Sequence, residues 1–201
     1  GNPKRPHILL TSNNHSDGFF NSRPVIMDET LLRFAASDLL ELFVTKYGGD
    51  IGIVEAVVGP QHGATRLAEF LSDQINGFTR GECFSVSPAK HEEDGVKSMV
   101  FSTSELDMLQ GILVLLDEDV VTTGGSTRLT AKAVSTAGGI VLEFLLALVN
   151  RSGFEVIDGR RIVALINHPM STWAPHECPL CPQGSEAVRA KDNWARLIAE
   201  Y

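Results

Sequence analysis

The sequence predicts an α/β fold: a central, mainly parallel sheet flanked by helices. Two observations carry that prediction. Residues 113–116 are apolar throughout and are followed by turn-forming residues, the pattern of a strand buried on both faces in a parallel sheet. A strand, a loop of small residues and a helix start follow one another twice, at residues 51–77 and again at residues 113–137, as crossover connections require. A chain of 201 residues, 43% hydrophobic and 21% charged, has the material for one such domain with a full core.

Taken in order, residues 7–21, HILLTSNNHSDGFFN, are a short apolar segment, a polar turn and an aromatic pair, a hairpin-like cap when read alone. Residues 28–47 place Leu31, Leu32, Phe34, Ala35, Leu39, Leu42 and Phe43 at helical spacing, and Gly48-Gly49 stops that helix. Residues 51–58 read as a strand, and the loop Gly59, Pro60, Gln61, His62, Gly63, Ala64 turns into a helix ending near Gly77. Residues 82–87 and 98–102 read as edge strands with a charged loop, PAKHEEDGVK, between them. After the strand at 113–116, a helix over 126–137 carries Leu129, Ala133, Val134 and Ala137 on one face and ends at Gly138-Gly139. Residues 140–149 are a long apolar segment leading to Asn150 and Arg151, residues 161–166 are the last core strand, and residues 192–201 are a closing helix with Trp194 and Leu197 inward.

The turn after the strand at 113–116 has chemical meaning. Small residues let backbone N–H groups converge at the positive end of a helix, where a phosphate is held. Gly124 and Gly125 permit close approach, Thr122, Thr123, Ser126 and Thr127 add hydroxyl donors, and Glu118 and Asp119 offer acceptors suited to sugar hydroxyls or a Mg²⁺-bound water. A valine at Gly125 is expected to abolish binding. No lysine follows the glycines and their spacing fits neither a Walker A loop nor a dinucleotide fingerprint, so the turn asks for a phosphorylated sugar.

The run LVLLDEDVVTTGGST resembles the phosphoribosyl pyrophosphate (PRPP) motif of the type I phosphoribosyltransferases, with Asp117 standing at the motif's last apolar position. That carboxyl is expected to find a partner or reach the strand's solvated end. The N-terminal segment resembles the substrate segment of orotate phosphoribosyltransferases, with Leu10, Ser12, Ser16, Phe19, Phe20 and Asn21 matching, Thr11 in place of a substrate-contacting lysine and Asn13 in place of a glycine. Residues 147–153 resemble that family's arginine strand, with Asn150 replacing an aspartate, and the tail resembles the CPLC-x-x-G ending of one bacterial group.

The resemblance implies a type I phosphoribosyltransferase fold, one domain over residues 1–201 with a core at about 28–167 and a small hood from about 1–27 and 168–201. It also implies a homodimer, and PRPP and orotate as substrates with Mg²⁺. It gives pyrophosphate binding to Gly59, Pro60, Gln61, His62 and Gly63, the PRPP loop to Glu118, Asp119 and Thr122 through Thr127, and base binding to Phe19, Phe20, Thr122 and Arg151. It identifies residues 88–97 with a closing loop whose cations Lys90 and His91 join Asp119 in catalysis. Two rival readings stay open: a phosphoribosyltransferase for another base, and a non-catalytic PRPP or nucleotide sensor.

A formal charge of −8 argues against a nucleic-acid surface. No apolar stretch reaches membrane-spanning length and the first ten residues lack a signal-peptide core, so a cytoplasmic protein is expected. Three cysteines, an odd count, fit a reducing compartment. His176, Cys178 and Cys181 have the chemistry of zinc ligands, but a lone CxxC lacks its second pair, and a metal-free structural cap is the preferred reading.

Overall fold

The computed structural model describes residue 2 and residues 5–199. Its elements are β1 (His7–Leu9), β2 (His15–Ser16), α1 (Arg23–Met27), α2 (Glu29–Thr45), β3 (Ala56–Val58), α3 (Thr65–Thr79), β4 (Phe84–Val86), β5 (Ala89–Glu93), β6 (Val96–Val100), α4 (Thr103–Met108), β7 (Leu113–Val121), α5 (Gly125–Thr136), β8 (Ile140–Asn150), β9 (Val156–Ile157), β10 (Arg160–Asn167), β11 (Thr172–Trp173), β12 (Ala187–Val188) and α6 (Ala190–Ile198). They divide into two compact units, residues 22–168 and a unit drawn from both termini, residues 1–21 with 169–201.

The larger unit is built on a six-stranded sheet in the order β4-β3-β7-β8-β10-β9, parallel except where β9 joins β10. Residues 114–116 and 145–147 are 0–1% exposed because both faces of the sheet are covered, α2 and α3 packing against its strands and α5 against β7 and β8. No helix among the described residues is long and apolar enough to cross a membrane.

Several elements depart from the sequence pattern. In α2 the buried stripe is Leu32, Ala36, Leu39, Leu40 and Phe43, whereas Leu31 and Phe34 are exposed, because seven apolar positions are more than one helix face can bury. The helix closes through Gly48 at φ 68°, and a Cβ on Gly49 would run into the Phe43 ring, so both glycines are required there. Residues 51–53 form a single 3₁₀ turn, capped where the Asp50 side chain accepts from the Gly52 N–H at 2.8 Å, which leaves only Ala56–Val58 as strand. In α5 the buried face is Thr127, Thr130, Ala131 and Val134, with Ala137 just beyond, while Leu129 and Ala133 are half-buried beside β6.

The charged stretch at 88–97 is not an irregular loop. It folds as the antiparallel ribbon β5–β6, turning at Asp94 (φ 51°) and Gly95 (φ 77°), both left-handed as a two-residue type I′ hairpin requires.

The terminal unit holds a four-stranded sheet, β11-β2-β1-β12, so the hairpin expected for residues 7–21 is present as β1 and β2. Among the described residues its apolar core is small: Ile8, Val188, Ala190 and Leu197, with Leu10 against them. In α6 Leu197 is inward as expected, but Trp194 is 38% exposed and meets Phe19 edge-on at 6.0 Å; Tyr201, at the end of the expected helix, lies outside the described residues.

Candidate active site

The sheet order sets the site. From β3 the chain crosses through α3 to β4 on one side, and from β7 it crosses through α5 to β8 on the other. Crossovers leaving in opposite directions open a crevice at the carboxyl ends of the two strands. The two small-residue loops, residues 59–64 after β3 and residues 122–124 after β7, border that crevice.

β7 runs on to Val121, so Asp117, Glu118 and Asp119 are strand residues and not a strand end. Alternation turns Asp117 and Asp119 to one face and Glu118 to the other. Asp119, half-buried, is fixed from two sides: its Oδ2 accepts from Ser22 Oγ at 2.7 Å, and its Oδ1 lies 2.7 Å from where a Cβ on Gly63 would be. Glu118 faces α5, where Thr127 Oγ1 donates to its Oε1 at 3.5 Å. Burial above all, and then the charge of Asp119, push the Glu118 carboxyl up to about 8, against the opposing pull of Lys90 and the Thr127 hydroxyl.

Asp117 neither finds a partner nor reaches solvent, contrary to expectation. It is 1% exposed and neither carboxyl oxygen has a hydrogen-bond partner. Burial first, then Glu118 and Asp119, raise its pKa well above the usual carboxylate range, which favours the neutral carboxyl. Gly59 makes room for it, since a Cβ there would collide with that carboxyl.

The loop after β7 is held by side chains that its own sequence does not announce. Arg128 Nη1 donates to the Thr123 carbonyl at 2.8 Å while its Nε donates to Asp158 Oδ1 at 3.1 Å. Gly124 caps α5 at φ 75° without a side-chain cap, and a Cβ on it would lie 2.7 Å from Ile157 Cδ1. A Cβ on Gly125 would meet only Thr123 Oγ1, at 3.6 Å, so backbone geometry demands glycine at 124 and not at 125. The first amides of α5 are left open, with Thr122 and Ser126 half-buried, Thr123 exposed and Thr127 buried, an arrangement that accepts an anion. Across the crevice, Pro60 is buried and His62 exposed, Gln61 donates its N–H to the Pro88 carbonyl at 3.2 Å, and the Gln61–His62 peptide is cis.

On the ribbon, successive residues face opposite ways. Lys90 is paired with buried Met99 and its charge acts on Glu118; His91 is on the other face, 3.8 Å from Glu93. Of the two cations expected for catalysis, Lys90 is therefore the one directed at the acidic run.

Arg151 follows β8 directly, its N–H bonded to the Val121 carbonyl at 2.9 Å and its side chain buried. Asn150 builds the turn behind it: its amide donates to Phe154 O at 2.7 Å and Asn167 Oδ1 at 3.2 Å, and its Oδ1 accepts from Ser152 Oγ at 2.6 Å and Ser152 N at 3.1 Å. An aspartate would lose both donations, which gives this residue a structural reason of its own.

In the terminal unit, Phe19 is exposed and Phe20 half-buried; Phe19 and Trp194 line a cleft of about 220 Å³. His176 is exposed and 3.7 Å from Glu177, away from Cys178 and Cys181. The cysteines are instead joined by His7 and His15, which sequence spacing did not connect with them. Ser22 and Arg128 were missed as well: serine and arginine carry no local signal that they fix a carboxylate 97 residues on or a carbonyl five residues back.

No family model matches the chain. Among curated proteins, the orotate phosphoribosyltransferase of Caldicellulosiruptor bescii is 31% identical over 183 residues, 91% of this chain and 87% of that protein. Among solved structures, orotate phosphoribosyltransferase from Aeropyrum pernix matches with TM-score 0.57 at 23% identity over 81% of this chain and 86% of that one. Adenine phosphoribosyltransferase from Thermoanaerobacter pseudethanolicus matches with TM-score 0.55 at 20% identity over 72% and 84%. At those identities the two structures speak for the fold alone.

Proposed function

This chain belongs to the orotate phosphoribosyltransferase family, and from that premise we propose that it transfers the phosphoribosyl group of PRPP to orotate, giving orotidine 5′-monophosphate and pyrophosphate. The observation that carries the reading is the meeting, across one crevice, of Asp119, the open start of α5 and the loop at 59–64. In this reading the bond from the ribose C1 to pyrophosphate breaks, a bond to the base nitrogen forms, and that nitrogen's proton passes to water or to the departing pyrophosphate. The work of the site is to hold charge as it leaves. The amides and hydroxyls at Thr122–Thr127 take the 5′-phosphate, Glu118 and Asp119 the ribose hydroxyls, residues 59–63 the pyrophosphate, and Lys90 the charge that develops on it.

The groups meeting at Asp119 are oxygens: its own carboxylate and the Ser22 hydroxyl. That set fits a hard divalent cation such as Mg²⁺, which Asp119 would hold and which would supply further neutralisation of the departing pyrophosphate.

Arg151, at the β8 end beside the PRPP loop, is assigned the orotate carboxylate. A bidentate, charge-assisted contact is worth roughly 1.5–3 kcal/mol, so Arg151→Lys should raise the KM for orotate about ten-fold or more and leave that for PRPP near its original value. Pyrophosphate release with PRPP and a panel of bases is expected with orotate. Release with a purine or uracil alone would move the chain to the other-base reading, and no release with any base would leave the sensor. We also propose a homodimer, as the family resemblance implies. Light scattering at assay concentration should give twice the chain mass, and a fully active monomer would refute it.

A further inference from the structure

We propose that His7, His15, Cys178 and Cys181 form a structural zinc site that closes the terminal unit. One ligand atom from each lies within 4.8 Å of the others. Both ring nitrogens and both sulfurs converge on one point: Cys178 Sγ is 3.5 Å and Cys181 Sγ 3.6 Å from His7 Nε2, Cys181 Sγ is 3.3 Å from His15 Nδ1, and the two nitrogens are 2.9 Å apart. Zn–S bonds of about 2.3 Å and Zn–N bonds of about 2.0–2.1 Å at a tetrahedral angle put sulfur roughly 3.5 Å from nitrogen, which is the separation seen here.

The fold explains why these four meet. β1 and β2 pair antiparallel with Leu9 opposite His15, and His7, two residues before Leu9, is on the same face, so both rings project to one side. The tail then brings Cys178 and Cys181 across that side on two 3₁₀ turns, Pro175–Glu177 and Cys181–Gln183.

The hydrogen bonding behind the first ligand sets its tautomer. Ser185 Oγ donates to the Arg5 carbonyl at 2.7 Å, so at 2.9 Å from His7 Nδ1 it accepts, which puts the proton on Nδ1 and leaves the Nε2 lone pair aimed at the cluster. Charge is balanced too: two thiolates and a divalent ion sum to zero, as a site with three buried ligands requires. Four protein ligands leave no open position, which makes the site structural and not catalytic, and a two-sulfur, two-nitrogen tetrahedral set suits zinc.

The unit has a physical need for such a staple. Among the described residues, five apolar side chains are a small core for a four-stranded sheet assembled from the two ends of the chain. A metal bound across both ends contributes its binding free energy directly to holding them together.

The test uses the full chain purified under reducing conditions without chelator. Elemental analysis should find one zinc per chain, retained in His176→Ala and lost in Cys178→Ser and Cys181→Ser. Refilling with Co²⁺ should give the visible bands of tetrahedral coordination with sulfur-to-cobalt charge transfer, again absent from the cysteine variants. Wild-type protein that takes up no stoichiometric zinc when offered it, a persistent Cys178–Cys181 disulfide in the intact mass, or zinc retained by the double cysteine variant would each overturn the site. The wild-type measurement decides the matter even where a variant fails to fold, and none of the readouts depends on turnover.

Discussion

Asp119→Asn is expected to lower kcat by about two orders of magnitude with the melting temperature nearly unchanged. The amide keeps an oxygen to accept from Ser22 Oγ and occupies the same space beside Gly63, so the fold has no reason to yield. What disappears is the negative charge at the crevice, to which the proposed function assigns the ribose hydroxyls and a hard cation. Steady-state turnover with PRPP and orotate, beside a thermal melt, separates the two effects. Unchanged turnover in a folded variant would remove Asp119 from the reaction.

The second large effect concerns stability and pH. Glu118 has its carboxyl raised from 4.5 to about 8, chiefly by burial and then by Asp119. A group raised in the folded state contributes fully below its unfolded pKa and loses that contribution as pH climbs through the folded value. The loss therefore falls between about pH 4.5 and 8. Glu118→Gln cannot ionise, so its advantage over wild type in urea unfolding without ligand should grow between about pH 5 and pH 8, by an amount on the order of 3–4 kcal/mol. Asp117 is raised in the same direction, in part by Glu118 itself, so the comparison reads the loss of the Glu118 charge at both carboxyls. A difference that stays flat with pH would mean that Glu118 is already ionised in the folded chain.

Much of this molecule was legible before its structure. The buried parallel strands were readable because a strand covered on both faces is mainly apolar, as residues 113–116 and 145–149 are. The turn between β7 and α5 was readable because its glycines and threonines end an apolar strand and open a helix. What stayed hidden depended on partners far along the chain. Nothing near Asp117 says that Gly59 will leave it space, and nothing near the CxxC says that the missing ligand pair lies more than 160 residues earlier, at His7 and His15. Even a local signal was overlooked, since Asp94-Gly95 between alternating residues specifies a tight hairpin.

That hairpin gives the charged stretch at 88–97 a second meaning. β5 and β6 pair only with each other among the described residues, so the ribbon has an outer edge along each strand, and every residue of β5 is exposed. Such edges invite strand addition from a neighbouring molecule, and charged side chains, lysine above all, discourage it. Lys90, Glu92, Glu93 and Lys97 are distributed along both strands of the ribbon. The composition that makes the segment look like an unstructured loop is also one that discourages strand addition at the edges of a two-stranded ribbon.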